Sequence, residues 1–252
     1  FPQVKYIKFN INEKLYLKIM NDIQQKISEI NVQKVAEEMD EKGYFLLSQF
    51  LPAKYCKELI DKYDNEGLYR KIITMEKYRF GLGEYKYFKY PLPNFVHNIR
   101  KGVYHILAPV ANNWMRLLNL KRQFPHEFER LQKLCHDNNQ TECTVLILKY
   151  GKGGFNTLHQ DLYGNIFFPM QLVLFLNEPD EDYFGGEFVL TQQNPRAQSK
   201  AIVLRPRMGD MLILTTNFRP MKGNKGYYQV QMRHGISEVH DGERHTLGII
   251  FH

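Results

Sequence analysis

A histidine and an aspartate two positions apart, His159 and Asp161 in the stretch LHQDLYG, are the first residues whose types and spacing indicate chemistry. Residues i and i+2 of a β-strand point to the same side. A strand that ends here would therefore present an imidazole and a carboxylate to one metal ion and leave half of its coordination sphere open. A chain with nine His and 27 acidic residues forms such a pair easily by chance, so a metal site requires a third ligand.

The third ligand must come from a distant part of the chain, and the histidines downstream are His234, His240, His245 and His252. His234 is the best of these, because it follows the strand-like segment YYQVQM and precedes GISEV, where the chain turns. A jelly roll brings such distant strand ends together. Two His and one carboxylate form the facial triad of non-heme Fe(II) oxygenases. The same three ligands would also suit catalytic zinc.

Arg244 helps to distinguish these two metals. It begins the segment RHTLGIIF, and a hairpin through HDGE (240–243) would place it on the strand next to His234. Arg244, Thr246 and Gly248 would then share an inward face. A guanidinium with a nearby hydroxyl suits two parallel bonds to a carboxylate. A dicarboxylate cosubstrate that also chelates iron needs such a site, whereas a hydrolytic zinc enzyme does not.

The elements that must position these residues differ between the two halves of the chain. Helical spacing of apolar residues predicts helices over 12–30, about 32–42, 52–64 and 94–118, the last bent near Pro109. The stretch YFLLSQFL (44–51), after Gly43, is predicted to be extended. Short apolar and β-branched segments separated by Gly, Pro and Asn predict strands from about residue 141 onward. The predicted strands are 144–150, 171–176, 187–191, 201–205, 211–215, 227–233 and 245–251.

We therefore predict an α+β fold in which a helical N-terminal half packs against a β-sandwich or small barrel. Residues 1–34 are predicted to form a separate N-terminal helical arm, and 35–252 one domain. Within that domain, about 35–140 would supply helical support and about 141–252 the β core.

Composition excludes several other classes. Three Cys are too few and too scattered for a disulfide framework or a Cys-rich zinc site. The longest apolar run, MQLVLFL (170–176), is far shorter than the roughly 20 residues of a membrane span. The first residues, FPQVKYIKFN, lack a signal-peptide pattern. We expect a cytoplasmic protein with reduced thiols and no membrane partner.

The net charge of +7 is concentrated in one segment. Basic residues greatly outnumber acidic ones between 185 and 233, and the predicted loop NFRPMKGNKGYY (217–228) leads into His234. Its basic residues Arg219, Lys222 and Lys225, interleaved with aromatic rings, would suit a nucleic-acid backbone with stacked bases at the mouth of the site. The alternative is a solvated basic face.

The stretch GEYKYFKYPLP (83–93) would line a substrate groove or pack on the β core, and we favour packing.

The stretches LKYGKGGFNTLHQD, GGEFVL, MGDMLIL and RHGISEVHDGERHTLGIIF resemble the Fe(II)- and 2-oxoglutarate-dependent dioxygenases, the prolyl-hydroxylase-like members especially. The resemblance implies a double-stranded β-helix, or jelly roll, and O2 as the oxidant. It implies iron bound by His159, Asp161 and His234. It also implies that Arg244 and Thr246 hold the 2-oxoglutarate, with Tyr150 on the strand before His159 as a further contact.

A closer resemblance runs from about residue 35 to the end, in GEYKYFKYPLP, LHQDLYGNIFFPMQL and GGEFVLTQQNPRAQS. These stretches look like a bacterial oxygenase family described as acting oxidatively on damaged DNA. The resemblance implies hydroxylation of a C–H bond, and at an N-methyl group of alkylated nucleic acid the product would lose the methyl group. The alternatives are a protein hydroxylase, acting on prolyl or another side chain, and a cupin-like metal-binding module without turnover.

Overall fold

The computed structural model describes residues 22–252, so most of the predicted N-terminal arm lies outside the described residues. The helical residues 22–28 form α1, whose Ile23 and Ile27 are buried in the main hydrophobic core together with Ile30. Four further helices follow: α2 (Val32–Lys42), α3 (Ala53–Asp61), α4 (Asn94–Leu117) and α5 (Phe128–Asp137). None of the helices in this described part is both long and apolar enough to cross a bilayer.

Helix α2 bears on the predicted division of the chain at residue 35. It begins at Val32, where the Asn31 side chain accepts a hydrogen bond from the Lys34 amide, and it ends at Gly43 in the left-handed conformation. The division would therefore cut through a continuous helix. The division into arm and domain stays a prediction, and the described end of the arm packs on the rest of the molecule.

The described region contains fifteen strands, numbered here in chain order. The first four are β1 (Tyr44–Leu47), β2 (Tyr69–Thr74), β3 (Gly81–Leu82) and β4 (Glu84–Phe88). The next six are β5 (Val145–Tyr150), β6 (Phe155–His159), β7 (Met170–Phe175), β8 (Tyr183–Gly185), β9 (Phe188–Gln193) and β10 (Ser199–Leu204). The last five are β11 (Met211–Thr215), β12 (Phe218–Gly223), β13 (Gly226–Ile236), β14 (Val239–Gly242) and β15 (Arg244–Ile250).

Two large antiparallel sheets contain most of these strands. The seven-stranded sheet has the order β1-β11-β7-β15-β5-β4-β2, and the smaller sheet has the order β10-β9-β13-β6-β3 with β12 paired to β13. Strands β14 and β8 form a separate pair. Every ladder between these strands is antiparallel, and neighbours in a sheet are mostly distant in the chain.

The alternation of side chains along the strands divides the core into two main layers. One face of the seven-stranded sheet, with Leu172 and Ile213, packs against the helices, including α4, which runs without interruption through Pro109. The other face, with Val173 and Phe175, packs against Phe188 of the smaller sheet. The molecule is thus a mixed helix-and-sheet fold in which two antiparallel sheets enclose an interior and helices cover the outside of the larger one.

The prediction of a helical N-terminal half is wrong in one respect. Strand β1 lies in the stretch predicted to be extended and pairs with β11. Strands β2, β3 and β4, however, lie within the segment predicted as helical support, where β3 pairs with β6, β4 with β5, and β2 with β4. These three strands are only two to six residues long. Their local sequence therefore carries little of the apolar periodicity from which a strand is predicted.

Candidate active site

His159 and His234 face each other across two neighbouring strands. His159 is the last residue of β6 and pairs directly with His234 of β13, and the ring centroids are 4.2 Å apart. The ladder is irregular beyond this pair, where Gly235 lies so close to β6 that a Cβ atom would be 2.6 Å from the Asn156 carbonyl oxygen. A glycine is therefore required for the close approach that brings the two imidazoles together.

Asp161 completes a cluster of three metal-ligating side chains. Its Oδ2 lies 3.2 Å from Nε2 of His234, and its Oδ1 lies 3.6 Å from Nε2 of His159. All three ligand atoms lie within 4.8 Å of one another. The structure thus brings together the three residues that the sequence selected, and their spacing fits a single ion bound on one face.

Neighbouring groups fix the orientation of the two imidazoles. Nδ1 of His159 lies 2.8 Å from the Thr157 carbonyl oxygen, which favours the tautomer with a proton on Nδ1 and leaves Nε2 free for a ligand. The ring of His234 stacks on Phe188 with an interplanar angle of 9°. Nε2 of His234 lies 3.3 Å from the Gln171 amide nitrogen. Both rings are therefore held in place before any ion binds.

Electrostatics favour the metal-binding protonation states. Burial alone would raise the pKa of Asp161, but the hydrogen bond and charge of His234 and the charge of His159 hold this pKa below its usual value. Burial and the neighbouring charge of His234 lower the pKa of His159. A metal needs an ionised carboxylate and a neutral imidazole, and at neutral pH both shifts favour these states.

A cavity of about 230 Å³ opens beside the cluster. All three residues of the cluster line it, and apolar side chains from both sheets form much of its wall, including Leu146, Leu148 and Val173. Its polar lining includes Tyr150, Asn156 and Thr246, and the Asn156 amide donates a hydrogen bond to the Tyr150 hydroxyl at 3.2 Å. A mostly apolar cavity with a few convergent polar groups is the usual form of a small-molecule site.

Arg244 is a buried cation whose guanidinium group is unpaired. It is 1% exposed and lies opposite Tyr150 in the pairing of β15 with β5. The guanidinium carbon is 5.8 Å from the Tyr150 ring and 5.5 Å from the Phe175 ring. Within residues 22–252, none of its three nitrogens meets the geometry of a hydrogen bond, although Tyr183 packs beside it with its ring 5.7 Å from the guanidinium carbon, and the charge of Arg244 acts to lower the pKa of the Tyr183 hydroxyl. Burying an unpaired charge is costly, so this site fits an anionic ligand that supplies the missing acceptors.

The prediction that Arg244 lies on the strand next to His234 is wrong. HDGE does not form a simple hairpin turn, because Val239–Gly242 is itself a strand paired with β8. Strand β15 then joins the other sheet, between β7 and β5. Thr246 and Gly248 line the cavity, whereas Arg244 is not among the lining residues, so the predicted inward face holds for two of its three positions. Arg244 thus belongs to the sheet opposite His234.

The basic residues predicted at the mouth of the site lie elsewhere. The predicted loop 217–228 is largely the hairpin of β12 and β13, and Arg219 within it is 4% exposed. Its guanidinium donates to the Asp40 carbonyl oxygen and to the Gln192 side chain, both at 3.0 Å, so Arg219 is not a surface residue. Lys222 is exposed but pairs with Tyr227, which at 3.3 Å per residue is roughly 20–25 Å along β13 from His234. Lys225, at the tip, is farther still.

Three residues of the site were not selected from the sequence. Gln171 and Asn156 line the cavity, and the Tyr163 hydroxyl donates to Oδ1 of Asp161 at 3.4 Å. Gln171 could have been selected from the sequence, because it is the polar residue within the apolar run MQLVLFL. The stretch 83–93 contributes both to the core and to the cavity: Tyr87 and Phe88 are buried, whereas Tyr85 lines the cavity.

Sequence comparisons relate the chain to a described family. Residues 83–252 match the profile of a family described as "Oxygenase, catalysing oxidative methylation of damaged DNA". An uncharacterized protein of Mycobacterium tuberculosis is 39% identical over 165 residues, which are 66% of this chain and 71% of that protein.

Structure comparisons find the same fold in solved proteins. A prolyl-4-hydroxylase of Pseudomonas putida has a TM-score of 0.54 at 14% identity, over 87% of this chain and 97% of that chain. The non-heme alpha ketoglutarate dependent epimerase SnoN from nogalamycin biosynthesis has a TM-score of 0.51 at 11% identity, over 86% and 80% of the two chains. At these identities the similarity concerns the fold alone.

Proposed function

The chain belongs to the family of oxygenases described as catalysing oxidative methylation of damaged DNA, and we propose that it is an Fe(II)- and 2-oxoglutarate-dependent dioxygenase. The reaction would convert 2-oxoglutarate, O2 and a substrate C–H bond into succinate, CO2 and the hydroxylated carbon. The similarity in fold to a prolyl-4-hydroxylase and to an alpha ketoglutarate dependent epimerase is compatible with this chemistry.

The proposed iron ligands are His159, Asp161 and His234. Their ligand atoms lie within 4.8 Å of one another, and His159 is oriented by the Thr157 carbonyl. Bound iron would supply the site at which O2 is reduced as 2-oxoglutarate loses CO2. The chain's own contribution is to hold three ligands on one side of the ion and to leave the other side to the cosubstrate and O2.

The observation that carries the proposal is the unpaired guanidinium of Arg244. A hydrolytic metal site has no use for a buried cation without an acceptor, whereas the distal carboxylate of 2-oxoglutarate would pair with it through two charge-assisted bonds. Thr246 and Tyr150 line the cavity. We propose that these two side chains bind the same cosubstrate.

The two facing antiparallel sheets are proposed to form a double-stranded β-helix. Strands β6 and β13 of the smaller sheet bring the histidines together, and β15 and β5 of the larger sheet carry the cosubstrate residues. In this arrangement the apolar walls, such as Leu148 and Val173, limit the access of water to the reacting atoms.

The proposed substrate is nucleic acid that carries an alkylated base, and hydroxylation of an N-methyl carbon would release the methyl group as formaldehyde. The description of the family and the net charge of +7 support this substrate class. An enzyme that oxidises a base must act on a single strand or extrude the base from a duplex.

Succinate formation from 2-oxoglutarate tests the proposal. The protein with Fe(II) is incubated with a methylated single-stranded oligodeoxynucleotide or a proline-containing peptide, and the Asp161→Ala variant serves as the control. We expect succinate and formaldehyde in the reaction with the oligonucleotide. Hydroxylated peptide instead would make the protein a protein hydroxylase. If a metal-loaded protein forms no succinate with either substrate, it is a binding module.

A further inference from the structure

Two stacked and exposed aromatic rings lie beside the cavity, and one of them lines it. Phe80 lines the cavity together with His159 and Asp161, and yet 44% of Phe80 is exposed. Tyr78 is 52% exposed, and its ring stacks on that of Phe80 with centroids 5.5 Å apart and an interplanar angle of 19°. Large exposed rings beside a cavity with a metal-ligand cluster indicate a surface that receives a partner.

The backbone holds this pair of rings firmly against the strand of a metal ligand. The Phe80 carbonyl oxygen accepts hydrogen bonds from both the amide and the hydroxyl of Thr157, each at 2.9 Å. The Thr157 carbonyl in turn contacts Nδ1 of His159. Gly81 follows Phe80 at a φ of 140°, and a Cβ atom there would lie 2.2 Å from the Phe155 carbonyl oxygen. The backbone that carries Phe80 is therefore fixed relative to the strand of His159.

Two basic side chains flank the rings in the sequence KYRF (77–80). Lys77 and Arg79 are both exposed, and neither forms an ion pair with any residue that the structure describes. The acidic residue of this segment, Glu76, has its carboxylate near the Gly83 amide at 3.4 Å. The segment thus presents alternating positive charge and aromatic surface to solvent, and the adjacent Glu76 forms an ion pair with neither cation among the described residues.

We propose that Tyr78 and Phe80 form the stacking platform for an unpaired base of single-stranded nucleic acid, and that Lys77 and Arg79 contact the adjacent phosphates. This inference rests on the proposed function, because it names the surface by which that substrate reaches the cavity. Single-strand binding proteins combine these two elements: aromatic faces that stack bases and cations that follow the backbone. A peptide backbone, unlike that of nucleic acid, carries no anions of its own for Lys77 and Arg79.

Oligonucleotide binding tests the platform independently of catalysis. The affinity of the protein for a fluorescein-labelled single-stranded oligodeoxynucleotide is measured by anisotropy in Tyr78→Ala, Phe80→Ala and the double variant. Loss of stacking should weaken binding by about five- to hundredfold per base. The matched control is Tyr227→Ala, which removes an equally exposed ring (42%) at the far end of the β12–β13 hairpin and should change affinity less than twofold.

The salt dependence of binding tests the two cations. The double variant Lys77→Ala/Arg79→Ala should lower the slope of log affinity against log salt by about 1.4, because each single-strand phosphate contact contributes roughly 0.7. The matched control is Lys222→Ala/Lys225→Ala, which removes the same charge from the distant hairpin. That control should leave the slope nearly unchanged.

Several results would overturn the inference. These are unchanged affinity in Tyr78→Ala/Phe80→Ala protein of normal thermal stability, an equal loss in the Tyr227→Ala control, or no oligonucleotide binding by the wild-type protein. If Tyr78→Ala/Phe80→Ala instead loses binding to a proline-containing peptide, the platform belongs to a protein substrate. Succinate formation is measured in parallel, so that failure of the platform is distinguished from failure of the proposed chemistry.

Discussion

His159 and His234 stand directly opposite each other in neighbouring antiparallel strands, with ring centroids 4.2 Å apart. The separation of the two imidazoles is therefore set by the hydrogen-bonded ladder between β6 and β13. Cross-strand neighbours are held at fixed spacing by the sheet itself. The candidate metal site is preorganised, and a substitution that leaves the ladder intact should change the chemistry of the site without unfolding it.

Replacing Arg244 should mainly affect 2-oxoglutarate. Arg244→Ala removes the buried cation proposed to bind the distal carboxylate, and a charge-assisted pair is worth roughly 1.5–3 kcal/mol. We expect the 2-oxoglutarate concentration for half-maximal succinate formation to rise about 10- to 100-fold, with little change in metal affinity. An unchanged requirement would show that Arg244 does not bind the cosubstrate.

Arg244→Met should separate the effect of the buried cation on stability from its effect on ligand binding. Without ligand, the guanidinium packs against aromatic rings but has no anionic partner among the described residues, so an apolar side chain of similar length should leave thermal stability equal or higher. Addition of 2-oxoglutarate with Mn(II) should raise the melting temperature of the wild-type protein more than that of the variant. Equal shifts in both proteins would contradict the assignment.

Gly186 should be sensitive to a single methyl group. Its φ is +64°, and a Cβ atom would lie 3.0 Å from Cδ of Arg244 and 2.9 Å from the Val239 side chain. Gly186→Ala should displace the guanidinium and raise the 2-oxoglutarate requirement, as Arg244→Ala does, although it removes no polar group. Gly226→Ala is the matched control, because this glycine also has a positive φ but has no atoms near the added methyl group. A similar increase in Gly226→Ala would argue against displacement of Arg244.

Arg219 should contribute to stability rather than to substrate binding. It is 4% exposed and donates to the Asp40 carbonyl oxygen and to Gln192. Arg219→Ala leaves buried acceptors unpaired and should lower the free energy of unfolding by roughly 2–4 kcal/mol, as measured by urea denaturation. The exposed Lys222→Ala should change it by less than about 0.5 kcal/mol. Full stability of Arg219→Ala would contradict the buried position.

Stability should fall as the pH is lowered below 6.5, in part because of His245. Burial and the charge of Lys149 lower the pKa of His245 from 6.5 to about 4. Between these values the unfolded chain binds a proton that the folded chain does not, so the folded state loses stability as the pH falls from about 6.5 to about 4. His245→Gln should reduce this dependence in urea titrations at several pH values. An unchanged dependence would show that His245 does not contribute.

The metal-ligand residues could be predicted from the sequence, whereas the sheet to which each strand belongs could not. His159, Asp161 and His234 were selected because strand ends bring alternating side chains to one face, and this local rule holds in the structure. The sheet that β15 joins is not a local property, so Arg244 was expected beside His234 rather than across the interior from it.

Burial of charged residues was the other source of error. Arg219 was expected at the surface because its neighbours in the chain are polar and basic, but its partner Asp40 is 179 positions away. Tyr78 and Phe80 were passed over for the opposite reason. Aromatic residues usually indicate a core, but in the structure Tyr78 ends a short 3-10 helix (Met75–Tyr78) and both rings remain exposed.

The most direct test of the central claim is a titration of the protein with Mn(II), a redox-stable substitute for Fe(II), followed by electron paramagnetic resonance of the free ion. The account predicts one bound ion per chain in the wild-type protein and none in folded His159→Ala or Asp161→Ala. It also predicts that 2-oxoglutarate tightens the binding of Mn(II) in the wild-type protein. A wild-type protein that binds no Mn(II), or variants that bind it as tightly as the wild type, would contradict the account.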